Sequence, residues 1–372
     1  MKVNVLRLMQ ALFLSVFAVV PVCSAPGRQS LKTKHLIFVM TDGLRWQELF
    51  RGVEEMLIAS QSEKDVDLAA VRKAYWRETP EARREALMPF LWSVVARNGQ
   101  VYGNRDKGSE AFVTNGLNFS YPGYSETLCG IADPRVTSND KVPNPNRTVL
   151  EWLNNKPAFR DRMAAFGAWD VFPYIFNVQR SGLPVNAGWD DFRAPRPNAR
   201  LELLNQLKAD TPRVWKDEPF DALPFYTAIE YLKTDKPKVL YLGLGETDEW
   251  AHAGNYSEYL NATHRVDQYL RTIWETVQNM SEYRGNTTLL FTPDHGRGEG
   301  PVGWQKHGEK VPDSKYIWMA FVGPDTPALG ERSGIAAVKQ DQIAATLAAL
   351  LGQDYSNAEQ RVGKPIIDVL PH

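Results

Sequence analysis

Cysteine is almost absent: the 372-residue chain has two, Cys23 and Cys129. Cys23 falls in an N-terminal leader. Once the leader is removed, no intrachain disulfide can form, and stability has to come from a packed core. A surplus of charge of one sign is also missing. With 43 basic and 44 acidic side chains, the composition argues against a broad nucleic-acid-binding face and leaves room only for local charged pockets. No internal repeat and no low-complexity tract occurs. Long apolar runs are confined to the first residues, so no later segment is expected to span a membrane. Histidine is scarce as well, and two of the six fall in one stretch, "TPDHGRGEGPVGWQKHG" at 292–308.

The start of the chain reads as a secretory signal peptide over residues 1–24. Lys2 and Arg7 provide the positive end, Leu8 to Val22 the apolar run, and Val22 and Ser24 the small-residue cleavage site. The mature protein, residues 25–372, is expected to be periplasmic or secreted.

The remainder of the chain has the pattern of an α/β domain. "HLIFVMTDG" (35–43), "KVLYLGLGETD" (238–248), "NTTLLFTPDHG" (286–296) and "KYIWMAFVGP" (315–324) are short apolar runs, most of them ending in polar residues and glycine. Strands without polar alternation, separated by helical stretches, predict a mostly parallel central sheet with helices on both faces. Helices are expected over 78–98 and 255–281. Tyr259, Val266, Leu270, Ile273 and Val277 mark one buried face of the second. "QIAATLAALLG" (342–352) predicts a third helix capped by Gly352. The proline- and aromatic-rich stretch 155–235 is expected to be an irregular insertion or cap within a single domain.

Three strands lead into aspartates: Asp42, Asp248 and Asp294. Ligands of open α/β sheets bind beyond the carboxyl ends of the strands, and three acids there repel one another unless a cation sits among them. Histidines complete the set. Asp248 and His252 stand four apart and share a helical face, His295 follows Asp294, and His307 returns from a glycine-rich loop. Imidazole and carboxylate suit Zn2+, and Mn2+ or Fe would also fit. In "TNGLNFSYPGYSETLCG" (114–130), Ser120 stands at the start of a predicted helix, where N–H groups and the helix dipole favour an anion. Ser125 competes, but it lies mid-helix with its hydroxyl committed to the backbone.

This set resembles the alkaline phosphatase superfamily, most closely the nucleotide pyrophosphatase/phosphodiesterase branch. The resemblance is carried by Asp42-Gly43, Ser120-Tyr121-Pro122 with Gly130, Asp248 with His252, Asp294-His295-Gly296, and His307. It implies two zinc ions. One would be held by Asp248, His252 and His307, the other by Asp42, Asp294, His295 and the Ser120 oxygen. It further implies that Ser120 attacks a small-molecule phosphate ester and forms a phosphoseryl intermediate, with Asn139 orienting the phosphate and Asn118 competing for that role. The branch often has Asn-His after the proline, where this chain has Gly123-Tyr124. Arg297 and Lys306 are expected to be solvated loop charges. A sulfatase, phosphonate hydrolase or phosphotransferase of the same superfamily is the alternative. The sulfatase motif, however, has Arg where this chain has Tyr124. A non-catalytic metal-binding protein would be expected to lack one of these residues, and none is missing.

Overall fold

The computed structural model describes residues 30–60, 68–193, 198–355 and 361–371. The expected signal peptide lies outside the described residues. Leu31–His372 forms one compact unit.

Its centre is β1 (His35–Thr41), in which every residue is buried. The alternation of a strand sends Ile37 and Val39 into one hydrophobic cluster and Leu36, Phe38 and Met40 into the other, so β1 supplies core to both faces. Seven more strands build the main sheet: β2 (Gly99–Tyr102), β3 (Met163–Gly167), β4 (Val185–Ala187), β5 (Val239–Leu244), β6 (Thr287–Pro293), β7 (Met319–Val322) and β8 (Gly330–Glu331). Their order is β8-β2-β7-β6-β1-β5-β3-β4. Pairing is parallel except where β7 runs antiparallel to β6 and β2. The mostly parallel α/β sheet expected from the apolar runs is therefore present.

Two details depart from expectation. Residues 155–235 are not all insertion: they contain β3 and β4, which close one edge of the main sheet, and α2 (Ala222–Thr234), which packs on β3 and β5. Proline and aromatic density hid strands of five and three residues. The single helix expected over 78–98 is broken. Its first part, Pro80–Leu87, ends at Met88, which takes φ −129° and ψ 69° before Pro89. A residue preceding proline is pushed out of the helical region by the ring.

The other helices match their patterns. α1 runs Ser120–Cys129 and closes on Gly130, whose left-handed backbone (φ 70°) lets its N–H reach the Glu126 carbonyl at 2.8 Å. α3 (Glu246–His252) begins where Asp221 accepts from the Gly245 and Glu246 N–H groups at 2.7 and 3.2 Å. α4 (Tyr256–Asn279) buries the five apolar residues that predicted it. α5 (Ile343–Leu350) is followed by Gly352 in the left-handed region at φ 71°.

Register positions the chemistry. Thr41 pairs with Leu244 on one side and Pro293 on the other. The three central strands end flush, so the residues after them emerge together.

Candidate metal centre

Asp42, Asp294 and His295 leave the ends of β1 and β6, while Asp248 and His252 are carried by α3 directly after β5. His295 Nε2 lies 3.2 Å from Asp42 Oδ1, 3.4 Å from Asp294 Oδ2 and 4.0 Å from Asp248 Oδ1. His307 Nε2 lies 3.8 Å from Asp248 Oδ1 and 2.9 Å from His252 Nε2, and His252 Nε2 is 3.1 Å from Asp248 Oδ2. The rings of His295 and His307 stack at 4.0 Å. Two compact groups result, Asp42–Asp294–His295 and Asp248–His295–His307, each with ligand atoms within 4.8 Å of one another. His295 belongs to both. His252 stands outside the second group but touches two of its members. The structure thus brings together all six Asp and His positions singled out in the sequence, with His295 between the two sets rather than in one alone.

The donor atoms fit cations. Asp42 Oδ1, Asp294 Oδ2 and His295 Nε2 are buried without a hydrogen-bond partner among the described residues. Buried polar atoms are nearly always satisfied, and three converging orphans of these types could hold a cation. The electrostatics agree. Burial, followed by repulsion from Asp248, pushes the Asp42 carboxyl well up, and burial followed by repulsion from Asp42 does the same to Asp294. Burial lowers His295 to about 4 and His307 to about 2, keeping both imidazoles neutral, the form that binds metal. His252 moves the other way, raised first by its bond to Asp248.

Asp248 differs. Burial opposes its ionisation, but Arg297 and then the hydrogen bond to His252 outweigh burial and hold its carboxyl well below the usual range. Arg297 is only 1% exposed and pairs through Nη2 with Asp248, while its Nη1 donates to the Gln305 carbonyl at 2.8 Å. The expectation of a solvated loop charge is wrong for Arg297. A single arginine between glycines gives no sign of burial, and only the fold of the loop across the strand ends reveals it. Lys306 is exposed, as expected.

Ser120 is the first residue of α1, and the residue before it, Phe119, offers no side-chain cap. The hydroxyl is not the helix cap that a serine at this position usually is. The start of α1 is held against the acidic cluster. Tyr124 Oη donates to Asp42 Oδ2 at 3.1 Å, and a side chain on Gly123 would meet the Asp294 carbonyl oxygen at 2.4 Å. Asn139 is exposed, and its Oδ1 accepts the Tyr121 N–H at 2.9 Å, which leaves its NH2 group for a ligand. Pro122 has no N–H, so the anion-binding capacity expected of the helix start is reduced to the Ser120 N–H among its first three residues. Asn118 is buried at φ 54°, its Oδ1 has no partner among the described residues, and its carbonyl faces His307 Nδ1 at 3.3 Å. The Ser125 hydroxyl is committed, but to side chains rather than backbone: Asn144 Nδ2 at 3.0 Å and Cys129 Sγ at 3.9 Å.

Comparison with known proteins gives the same direction. Residues 221–339, which carry Asp248, His252, Asp294, His295 and His307, match the family model described as the Metalloenzyme superfamily. A 2,3-bisphosphoglycerate-independent phosphoglycerate mutase from Haloarcula marismortui is 24% identical over 142 residues, 38% of this chain and 26% of the mutase, so the similarity spans about a quarter of that relative. The alkaline phosphatase PafA superposes with a TM-score of 0.58 at 11% identity, covering 92% of this chain and 100% of that one. A putative sulfatase from Bacteroides thetaiotaomicron VPI-5482 gives 0.55 at 11% identity, over 90% of this chain and 72% of that one. The family-model match covers the segment that carries five of the six Asp and His positions, and the shared architecture shows that this chain has the fold seen in PafA and in that sulfatase.

Proposed function

We propose that this protein is a secreted or periplasmic phosphoric ester hydrolase that uses two divalent ions, zinc in the native enzyme, and Ser120 as nucleophile. One observation carries the reading: orphaned carboxylate and imidazole atoms converge at flush strand ends, against a helix whose first residue is a serine. Asp42, Asp294 and His295 would hold one ion, with the Ser120 oxygen beside it. Asp248, His252 and His307 would hold the other. Bound ions at such a site stabilise the charge that builds on the attacking and leaving oxygens and ease ionisation of a hydroxyl.

The chain's own groups do the rest. Tyr124 holds Asp42 in place. Asn139 steadies the first turn of α1 and offers its amide N–H groups to the phosphate. Ser120 forms the new O–P bond as the ester oxygen leaves, and water then cleaves the phosphoseryl bond. Domain organisation follows the same reading: one catalytic domain over 25–372 behind a cleaved leader.

Phosphate is favoured over sulfate by Tyr124. It fills the position of the sulfatase motif's arginine, and its hydroxyl is engaged with Asp42. Preference for a diester rests on the aromatic side chains around the site: half-buried Trp169 lies 6.4 Å from the Tyr124 ring, and Trp215 packs at 5.0 Å on Trp250 of α3. The test is hydrolysis by zinc-loaded protein of p-nitrophenyl phosphate, bis-p-nitrophenyl phosphate and p-nitrophenyl sulfate, with Ser120→Ala as control. The reading expects turnover of phosphate esters, with the diester favoured, and loss of turnover in the variant. Preference for the sulfate, or full activity in Ser120→Ala, overturns it.

A further inference from the structure

Glu126 is the one fully buried carboxylate of α1, six residues after Ser120, and no ion pair reaches it among the described residues. A buried charge without a cation persists only where donors converge on it. They do so here from a single segment. Thr114 donates its N–H at 2.9 Å and its hydroxyl at 2.8 Å, and Asn115 donates its N–H and its Nδ2 at 2.9 Å each. Burial pushes the Glu126 carboxyl up to about 7, with Asp341 adding repulsion from the segment before α5. Core packing alone would be served by an apolar residue. The carboxylate is used to grip residues 114 and 115.

That grip is passed along the chain. Asn115 Oδ1 accepts from the Leu117 and Asn118 N–H groups at 2.8 and 3.1 Å. Gly116 and Asn118 both take left-handed backbone, at φ 73° and 54°, a shape that a free strap would not hold unaided. The strap then ends in two site features. The Asn118 carbonyl faces His307 Nδ1, and two residues later comes Ser120. A carbonyl at Nδ1 selects the tautomer that leaves Nε2 free for a metal.

We propose that Glu126 is a positioning residue for the reaction: through Thr114 and Asn115 it sets the strap that presents Ser120 and orients His307. The inference rests on the roles given above to Ser120 and His307. The experiment compares Glu126→Gln, Asn115→Ala and the double variant in the full mature chain. It reads thermal stability, zinc affinity by competition with a chromogenic chelator, and kcat and KM on the best phosphate ester. Glu126→Gln is expected to stay folded and lose about 100-fold in kcat with KM little changed. It is also expected to weaken one of two zinc equivalents roughly 10- to 100-fold. The double variant is expected to be no worse than Glu126→Gln, because both act through one strap. If Glu126→Gln does not fold, Asn115→Ala must show the same paired loss of kcat and zinc affinity. Lower stability with kcat and zinc affinity near wild type, or additive losses in the double variant, overturns the proposal. Should the wild type turn over no phosphate ester, the proposed function fails, but zinc affinity still decides the role of Glu126.

Discussion

Gly123→Ala tests how closely α1 must approach the strand ends. The added methyl carbon would lie 2.4 Å from the Asp294 carbonyl oxygen and 3.0 Å from its carbon. Ordinary carbon–oxygen contact needs about 3.4 Å, so helix and strand end must part by about 1 Å. Neither side yields cheaply. The obstacle is backbone, and the Asp294 carbonyl is also held by Gln340 Nε2 at 2.6 Å. Overpacking of this kind costs about 1–3 kcal/mol, which a domain of this size survives. Function is more exposed, because Ser120 begins the displaced helix. A shift of about 1 Å between a nucleophile and its partners costs about 100-fold in rate. Gly303→Ala is the control: its nearest neighbour would stand at 3.5 Å, an ordinary contact. The assay is kcat on p-nitrophenyl esters with zinc content measured on the same samples. Gly123→Ala should be folded, zinc-loaded and about 100-fold slower, and Gly303→Ala should match the wild type. A Gly123→Ala enzyme within a few-fold of wild type would refute the claim that the approach of α1 to Asp294 sets Ser120.

Three further outcomes are expected from the electrostatics. Arg297→Met removes the main cation beside Asp248 and should cost the metal-free protein about 3–5 kcal/mol by urea unfolding in EDTA, with a smaller loss when zinc is present. Asp294→Asn should do the reverse in EDTA: it relieves repulsion with Asp42 and raises the melting temperature, while abolishing zinc-dependent activity. Asp267 is buried under the Phe90 and Leu91 N–H groups, and burial raises its carboxyl to about 6. The unfolded chain loses that proton first, so the contribution of Asp267 falls as pH rises from about 4 through 6, by about 3 kcal/mol in all. Wild type minus Asp267→Asn, measured by denaturant unfolding across that range, should show the decline.

The cluster of aspartates and histidines at the strand ends was legible because each part leaves a mark in sequence. Apolar runs announce buried parallel strands, and acids directly after them announce the carboxyl ends. Scarce histidines at helical or turn spacing around those acids complete the pattern. What escaped lay where local sequence carries no information about partners. Arg297 reads as a loop charge until the loop folds over Asp248. Glu126 reads as an ordinary helix residue until residues 114 and 115 close on it. The β3 and β4 edge of the sheet was lost among prolines and aromatics, and its strands are too short to show a period. Gly123 was visible as a departure from the resembled motif, but its effect, the close approach of α1 to the Asp294 carbonyl, needed the fold.

The most direct test of the proposed chemistry is to trap the covalent enzyme. The zinc-loaded protein would be mixed with a phosphate ester, quenched in acid during turnover, digested, and examined by mass spectrometry. A Ser120 nucleophile predicts one phosphoryl group on the peptide containing Ser120, located on that residue and absent after Ser120→Ala or EDTA treatment. Turnover with no phosphorylated peptide, or with the phosphoryl group on Ser125 or elsewhere, would contradict it.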